Sequence, residues 1–206
     1  MPKYSIVFED DYLLVVDKPS GLLVIPTPKG ETNTLTDLLN EYLQAKSPNS
    51  PKSHPCHRLD RETSGLILYA KGKAMQQKVM NQFHRKEVGK KYLAFVQGHP
   101  KKETGLINYK LEGNEAATQY RVVKYYGSRY TLVEAEPLTG RTNQIRLHFK
   151  MIGHPVVGER KFAFARDFAV KARRLMLHSS FISFTHPATN QQMSFSSNLP
   201  TDMIIL

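Results

Sequence analysis

The sequence predicts an α+β fold in which a mostly antiparallel, mixed sheet is flanked by helices and loops. Many short apolar runs are bounded by Gly, Pro or Asp, which is typical of strands. Three longer segments place apolar residues three or four positions apart, which is typical of helices packed on a core. Several strands follow one another with only turn residues between them, and this favours antiparallel hairpins over βαβ units. No internal repeat is visible, so we expect a single domain over residues 1–206.

The first third of the chain is expected to contain strands on both sides of one helix. Short apolar runs predict three strands, at residues 5–8, 12–16 and 22–25. Thr34 is expected to begin a helix, because Leu35 and Leu39 belong to one apolar face. A strand at 66–70 then leads into a second helix over 73–83.

The remainder of the chain is predicted to be rich in strands. Its apolar runs predict strands at residues 88–96, 106–111, 117–126, 130–135, 175–184 and 193–195. Gly127 and Ser128 suit a tight turn between two of them. A helix is expected over residues 143–152, with Thr142 as its cap and Gly153 at its end.

The charge balance points to a polyanionic partner. Lys and Arg number 29 against 18 Asp and Glu, a formal net charge of +11, and such a surface favours nucleic acid or an anionic membrane. No apolar run approaches the roughly 20 residues of a membrane span, and the basic segments lack the amphipathic helix that membrane binding requires. We therefore expect a cytoplasmic, monomeric protein that binds nucleic acid, with no membrane and no obligate protein partner.

The cysteine and the histidines do not predict a metal site. Cys56 is the only cysteine, which excludes an intrachain disulfide and a cysteine cluster for zinc. Its neighbour His57 suggests a nucleophilic pair, but catalytic Cys/His pairs are normally assembled from distant segments. The eight histidines show no metal-binding spacing, since His54 and His57 lie in a proline-containing loop rather than on a helix. We expect no metal and no cysteine nucleophile.

Residues 57–65 carry the strongest sign of chemistry. Arg58 and Asp60 stand two positions apart, between a Pro-rich loop and the apolar strand at 66–70. A carboxylate held against such a strand is partly desolvated and needs a cationic or hydrogen-bonding partner to stay ionised. Nucleophiles and acid–base groups are arranged in this way. An isolated Arg-x-Asp is more often a turn or helix cap beside a surface arginine, so the surrounding pattern has to decide.

That pattern extends along the chain. His-Arg-Leu-Asp at 57–60, Thr-Ser-Gly at 63–65 and Ala-Lys at 70–71 resemble the signature of the RluA-type pseudouridine synthases. Three further segments are similar to segments of that family in the same order, at residues 15–22, 90–98 and 138–148. The last of these has Asn143 where the family usually has histidine, which argues against a role for a titrating histidine there. The resemblance covers nearly the whole chain.

The resemblance implies a pseudouridine synthase catalytic fold without an N-terminal accessory RNA-binding domain. The implied activity is the isomerisation of specific uridines in structured ribosomal or transfer RNA. It would proceed by base flipping and an Asp-dependent exchange of the C–N glycosidic bond for a C–C bond. No redox step or phosphate transfer occurs in such a reaction, so no cofactor is expected.

The resemblance also assigns roles to five residues. Asp60 is implied as the catalytic carboxylate, and Arg58 as the arginine that flips the base and contacts the RNA backbone. Tyr92 is implied to stack on the flipped uracil, although a strand tyrosine is ordinarily a packing residue. Ile145 is implied to pack on the uracil edge. Arg146 is implied to pair with Asp60, keeping it ionised and oriented.

Basic residues supply the expected RNA-facing surface. The candidate contacts are Lys90, Arg141, Lys171, Arg173 and Arg174, although runs of charge are usually solvated faces. One alternative function is a catalytically silent RNA-binding module on the same fold, which is disfavoured because the carboxylate and its partner arginine are both present. Another is a base-flipping glycosylase, which would release free uracil instead of leaving the RNA mass unchanged.

Overall fold

The computed structural model describes residues 4–28, 30–162 and 172–203. Within these residues it contains ten β-strands and three α-helices, and the strand pairs whose register is described are antiparallel. The predicted α+β class is confirmed. The chain divides into two compact units, Met1–Gly89 with Phe181–Ser197, and Lys90–Ser180 with Asn198–Leu206. The single domain over 1–206 stays a prediction.

The first unit is built on strands that pair with β2 and β4. In chain order its elements are β1 Ser5–Glu9, β2 Leu13–Lys18, α1 Leu35–Lys46, β3 Ser53–Pro55, β4 Ser64–Lys71, α2 Lys73–His84 and, after the second unit, the end of β9 Leu177–Thr185 and β10 Gln192–Ser196. β2 lies between β1 and β4, β3 adds to β4, and β10 pairs with β9. Leu13, Val15, Leu66 and Leu68 form a core that Val79 of α2 joins.

Residues 22–25, predicted as a strand, form an irregular segment instead. The backbone N–H of Leu35 donates to the carbonyl of Leu23 at 2.7 Å, and that of Thr36 donates to the carbonyl of Val24 at 3.2 Å. A helix leaves its first N–H groups without internal partners. The apolar run therefore serves the start of α1 rather than a strand ladder.

The predicted start of α1 is confirmed. Thr34 is the N-cap, and it forms a capping box in which the Asp37 carboxylate accepts from the Thr34 backbone N–H at 2.9 Å. The Thr34 hydroxyl accepts from the Asp37 N–H at 3.3 Å. Leu35, Leu39 and Leu43 form the buried face of the helix, as their spacing predicts.

The second unit contains a four-stranded antiparallel sheet and one helix. Its elements are β5 Gly89–Gln97, β6 Thr104–Asn108, β7 Ala117–Tyr126, β8 Tyr130–Pro137, α3 Gln144–Met151 and the start of β9. The strand order is β5-β8-β7-β6. The turn between β7 and β8 contains Gly127 with φ 55°, a left-handed conformation that glycine adopts without steric cost. Phe95, Leu132, Val157 and Met176 form the core.

The start of α3 differs from the prediction. Asn143, not Thr142, occupies the N-cap position, with φ 53°, and its side chain makes no capping hydrogen bond. Asn is among the residues that tolerate this left-handed conformation best. Its amide oxygen instead accepts a hydrogen bond from Arg146 Nη1 at 2.9 Å. The Asn143 side chain therefore binds Arg146 of α3 instead of capping the helix.

Candidate active site

The loop between β3 and β4 carries Arg58 and Asp60 in different environments. Leu59 is buried and anchors the loop, while Arg58 is exposed and Asp60 is half-buried. The backbone N–H of Thr63 donates to the Asp60 carbonyl at 3.1 Å, which closes a turn behind the carboxylate. Asp60 is thus a half-buried residue held in a defined turn.

A buried lysine holds the next residue of this loop. Lys18 is fully buried at the end of β2, and its ammonium donates to the carbonyl oxygens of Leu22 at 2.8 Å, Pro19 at 2.9 Å and Arg61 at 3.1 Å. Three acceptors match the three donors of an ammonium group, which offsets the cost of burying it. The lysine thereby ties the strand end to the residue that follows Asp60.

The turn after Lys18 makes two further contacts with the same loop. The backbone N–H of Gly21, with φ 88°, donates to the Arg61 carbonyl at 2.8 Å. The Ser20 hydroxyl donates to the Glu62 carbonyl at 2.7 Å. A φ of this sign favours glycine, which gives a physical reason for Gly21 in the segment at residues 15–22.

Cys56 and His57 hold the other side of the loop. The Cys56 N–H donates to the Leu68 carbonyl at 2.9 Å, and His57 Nε2 accepts from the Leu68 N–H at 3.1 Å. The His57 ring also lies 5.1 Å from the ring of Phe83. Burial raises the pKa of the Cys56 thiol to about 12, so the thiolate needed for nucleophilic attack is scarce at neutral pH. These contacts support the prediction that Cys56 is not a nucleophile.

Tyr92 lies on β5 in the second unit. Its side chain is buried, and the residue stands opposite Ala135 of β8. Lys90, two positions earlier, is partly buried, and desolvation lowers its pKa. Ile145 is buried in the first turn of α3.

Arg146 is buried beside an acid that sequence analysis did not single out. Its Nε donates to Glu159 Oε2 at 2.6 Å and its Nη2 to Glu159 Oε1 at 2.8 Å, and only 4% of the arginine side chain and 1% of the glutamate side chain are exposed. Phe162 lies under the guanidinium, with its ring centroid 5.2 Å from Cζ. Burial acts to raise the pKa of Glu159, but Arg146 and two backbone N–H groups lower it below its ordinary value.

A chain of hydrogen bonds among the buried Gln144, Thr118 and His148 and the half-buried Thr139 fixes the start of α3 against β7. The Gln144 amide oxygen accepts from the Thr139 hydroxyl at 2.6 Å and from the Arg141 N–H at 3.0 Å, while its Nε2 donates to Thr118 Oγ1 at 3.0 Å. His148 Nδ1 lies 2.9 Å from that same Thr118 oxygen, and its Nε2 lies 3.1 Å from a backbone carbonyl. A carbonyl can only accept, so Nε2 carries the proton.

His148 is accordingly a packed histidine with both ring nitrogens hydrogen-bonded. Burial lowers its pKa, and the hydrogen bond to the Tyr109 carbonyl acts in the opposite direction. The neutral form lets Nδ1 accept from Thr118 while Nε2 donates to Tyr109. In the parts of the chain that the structure describes, no group of three or more His, Cys, Asp and Glu side chains could hold a metal ion.

Comparisons with known proteins agree with this sequence and fold. The family model described as RNA pseudouridylate synthase matches residues 12–151. The dual-specificity RNA pseudouridine synthase RluA of Escherichia coli strain K12 is 35% identical over 211 residues, which cover 94% of this chain and 92% of that protein. The chain belongs to the RNA pseudouridylate synthase family. The predicted resemblance to the RluA-type enzymes is thereby confirmed.

Other family members extend the likeness in sequence and in structure. The ribosomal large subunit pseudouridine synthase C of Vibrio cholerae is 35% identical over 216 residues, covering 96% of this chain and 66% of that protein. The structure of human RNA pseudouridylate synthase domain containing 4 superposes with a TM-score of 0.80 at 24% identity, over 97% of this chain and 90% of that one. That of the human domain containing 1 protein gives 0.76 at 26% identity, over 95% and 83%.

Family membership confirms the predicted enzyme class, an RNA pseudouridine synthase and hence an isomerase, and the predicted catalytic fold. RNA is accordingly the partner expected for a member of this family. None of the helices in the described residues is long and apolar enough to cross a membrane. The roles of individual residues are a separate matter, because family membership alone assigns none of them.

The predicted site residues of this pseudouridine synthase divide between the two units. Arg58 and Asp60 share one loop of the first unit, and Tyr92, Ile145 and Arg146 belong to the second. The second unit brings Arg146 to Glu159 and Asn143. The pairing of Asp60 with Arg146 stays a prediction.

The candidate RNA contacts have unequal surroundings. Arg173 is exposed, whereas Arg174 is half-buried and donates to the Asp202 carboxylate at 3.2 Å and to the Leu175 carbonyl at 3.1 Å. Arg141 is exposed, and its Nε donates to the Glu115 carbonyl at 3.1 Å. Lys171 lies outside the described residues. The roles of these residues and of Lys90 as RNA contacts stay predictions. The hydrogen bonds of Arg141 and Arg174 show that both also contact other parts of the protein.

Proposed function

We propose that this protein isomerises specific uridines to pseudouridine in structured RNA, with Asp60 as the catalytic carboxylate. The observation that carries this role is the turn containing Asp60. Lys18 donates to the carbonyl of the next residue, Arg61, and Asp60 is a half-buried residue. Partial burial strengthens the electrostatic interactions of a carboxylate, because less water screens them, and it still leaves the carboxylate accessible to a substrate.

In the proposed reaction the bond from ribose C1′ to uracil N1 breaks, the base rotates, and a bond forms from C1′ to C5. The C5 hydrogen is lost to solvent and N1 gains a proton, so the RNA keeps its mass. A single carboxylate can promote this change, either as a nucleophile towards the ribose or the base or as the group that abstracts a proton. Nothing in this sequence of steps calls for an electron carrier.

The other residues are proposed to prepare the base for this chemistry. Arg58, exposed beside Asp60, occupies the space that the target uridine leaves when it flips out of its stack. Tyr92 provides a stacking face and a hydroxyl for the flipped uracil, with Ile145 against the uracil edge. Arg146 donates hydrogen bonds to Asp60 and keeps the carboxylate ionised.

The substrate class is proposed from the relatives. One is named as a dual-specificity RNA pseudouridine synthase and another as a ribosomal large subunit pseudouridine synthase. The second name supports ribosomal RNA as a substrate, and we propose transfer RNA as the other substrate class. The same proposal places a monomeric enzyme without an obligate protein partner in the cytoplasm, where such RNA is found.

The test uses RNA carrying tritium at C5 of uridine. The purified protein should release tritium to water from ribosomal or transfer RNA transcripts without releasing uracil. Mapping pseudouridines in cellular RNA with and without the gene should then reveal one or a few lost positions. Release of free uracil would instead identify a glycosylase, and binding of RNA without tritium release would identify a silent binding module.

A further inference from the structure

We propose that Glu159 is a positioning residue that fixes the guanidinium of Arg146 in the orientation the isomerisation requires. The inference rests on the proposed function, because it extends the role of Arg146 in that reaction. Glu159 lies 13 residues after Arg146 in the chain and contacts it through two hydrogen bonds within the second unit.

The contacts define the plane of the guanidinium. Glu159 accepts from Nε at 2.6 Å and from Nη2 at 2.8 Å, which is the two-bond fork of an arginine–carboxylate pair. Asn143 accepts from Nη1 at 2.9 Å on another side. These bonds use three of the five N–H groups of an arginine. Because the guanidinium is planar, the same bonds fix the orientation of the whole group, so a carboxylate such as Asp60 would meet donors of fixed direction.

Glu159 is itself held in place. Its Oε1 accepts from the backbone N–H groups of Lys161 at 2.8 Å and Phe162 at 3.2 Å, and its own N–H donates to the Val156 carbonyl at 3.1 Å. The ring of Phe162 then packs under the Arg146 guanidinium. Because the Glu159 carboxylate has these fixed partners, it has little freedom to move, and it therefore restrains the position of the Arg146 guanidinium.

The turn that carries Glu159 is anchored to the strand that carries Tyr92. The Val157 N–H donates to the Phe95 carbonyl at 2.8 Å, and the Gln97 N–H donates to the Pro155 carbonyl at 3.0 Å. The backbone that carries Tyr92 is therefore hydrogen-bonded to the turn whose Glu159 orients Arg146, so these two proposed site residues are held in one framework. A framework of this kind holds reacting groups within the narrow tolerance that catalysis needs.

Burial favours an orienting role over a purely stabilising one. A buried ion pair gains little net stability compared with apolar residues of the same size, because both charges lose their hydration. What such a pair does provide is a fixed direction for its hydrogen bonds. Glu159 also offsets the positive charge of Arg146, so the arginine acts more through the placement of its N–H groups than through net charge.

The test compares Glu159→Gln with the wild type and with a matched control. The amide keeps the size of the side chain but replaces one acceptor oxygen with a donor, so the fork to Arg146 is lost. We expect kcat to fall roughly ten- to a hundredfold, with the KM for RNA nearly unchanged. Glu134→Gln is the control, because Glu134 makes a similar fork to Arg121 on the surface of the same unit, at 2.8 and 3.2 Å. It should keep wild-type kcat.

A double-mutant cycle separates positioning from a general loss of structure. If Glu159 acts through Arg146, Glu159→Gln should add almost nothing to the single-turnover rate loss caused by Arg146→Ala. The double variant also removes both buried charges, which protects its folding. Additive losses in the cycle would overturn the proposal, as would wild-type kcat in Glu159→Gln.

A folding failure of Glu159→Gln leaves a second route. Glu159→Asp keeps the charge but shortens the side chain, and the proposal predicts a lower kcat at unchanged KM for the folded protein. Wild-type kcat in that variant would overturn the proposal. In every arm the wild-type protein must form pseudouridine. If it does not, the proposed function has failed, which is distinguishable from a failure of the role of Glu159.

Discussion

The ammonium of Lys18 lies 3.1 Å from the carbonyl oxygen of Arg61, so the end of β2 is joined to the loop that carries Asp60. The two residues are 43 positions apart. No other charged side chain of the first unit is buried as completely as Lys18 in the described residues. The contact explains how a loop of polar residues is kept in one conformation beside a buried strand.

Replacing Lys18 with Met should therefore affect both stability and turnover. The change removes the ammonium donor from the carbonyls of Leu22, Pro19 and Arg61, and a buried carbonyl left without a partner costs about 1–3 kcal/mol before relaxation. The Leu22 carbonyl is the buried one, and the Arg61 carbonyl keeps the Gly21 N–H. We expect a lower free energy of unfolding in denaturant titrations and a lower kcat in the folded protein. Lys52→Met, at an exposed lysine of the same unit, should change neither. Equal stability and turnover in the two variants would show that the hydrogen bonds of the Lys18 ammonium have no role.

The two arginines of the proposed site should respond differently to substitution. Arg146→Ala removes the proposed partner of Asp60, so turnover should drop steeply even at saturating RNA. Arg58→Ala should impair flipping, and its defect should shrink on an RNA whose target uridine is already unpaired, because less unstacking is needed. Both variants are measured on a structured RNA and a loosened version of it. If loosening rescues Arg146→Ala but not Arg58→Ala, the two roles have been exchanged.

Cys56 should be inert in the native protein. Burial raises the pKa of its thiol to about 12, and only the thiolate reacts rapidly with alkylating reagents. Iodoacetamide followed by mass spectrometry should show almost no modification at neutral pH until denaturant unfolds the chain. Cys56→Ser or Cys56→Ala should retain pseudouridine formation. Rapid native alkylation that abolishes activity would reinstate the cysteine as a functional residue.

Acid should weaken the first unit through Glu9. Burial acts to raise the pKa of this carboxyl, but hydrogen bonds from Lys71, Tyr42 and Lys46 lower it from an ordinary 4.5 to about 2. A lowered pKa means that the stabilisation is complete above the unfolded-state value and disappears as pH falls through the folded-state value. The free energy of unfolding should decline between pH 4.5 and about 2.

Glu9→Gln isolates that contribution. The variant should be less stable than the wild type at neutral pH, and the difference should close as the pH approaches the lowered pKa. Denaturant titrations across this range measure it. A difference between the two proteins that stays constant with pH would show that Glu9 does not keep a lowered pKa in the folded state.

Local signals predicted most of the fold. The start of α1 at Thr34 followed from the spacing of Leu35 and Leu39 on one apolar face, and the strand β4 followed from the length of its apolar run and its flanking glycines. The run at 22–25 was predicted as a strand but forms an irregular segment. A short apolar segment is compatible with several buried conformations, and here its carbonyls accept from the first N–H groups of α1 instead of from a strand.

The site was predicted less completely, for a similar reason. The sequence motif predicts Asp60 and Arg58 together because they are neighbours in the chain. Glu159 reaches Arg146 only because the turn that carries Glu159 is hydrogen-bonded to β5. No periodicity links residues 13 positions apart across a turn. Asn143 also departs from the expected cap, because a left-handed backbone redirects its side chain to Arg146.

The most direct test of the catalytic role of Asp60 is tritium release by the Asp60→Asn protein, purified free of host enzyme, on an RNA that the wild type modifies. The amide preserves the shape of the side chain but removes its negative charge and nucleophilicity. We expect the variant to fold and to bind RNA nearly as the wild type does, with no detectable release of tritium and no pseudouridine. Substantial pseudouridine formation by Asp60→Asn would contradict it.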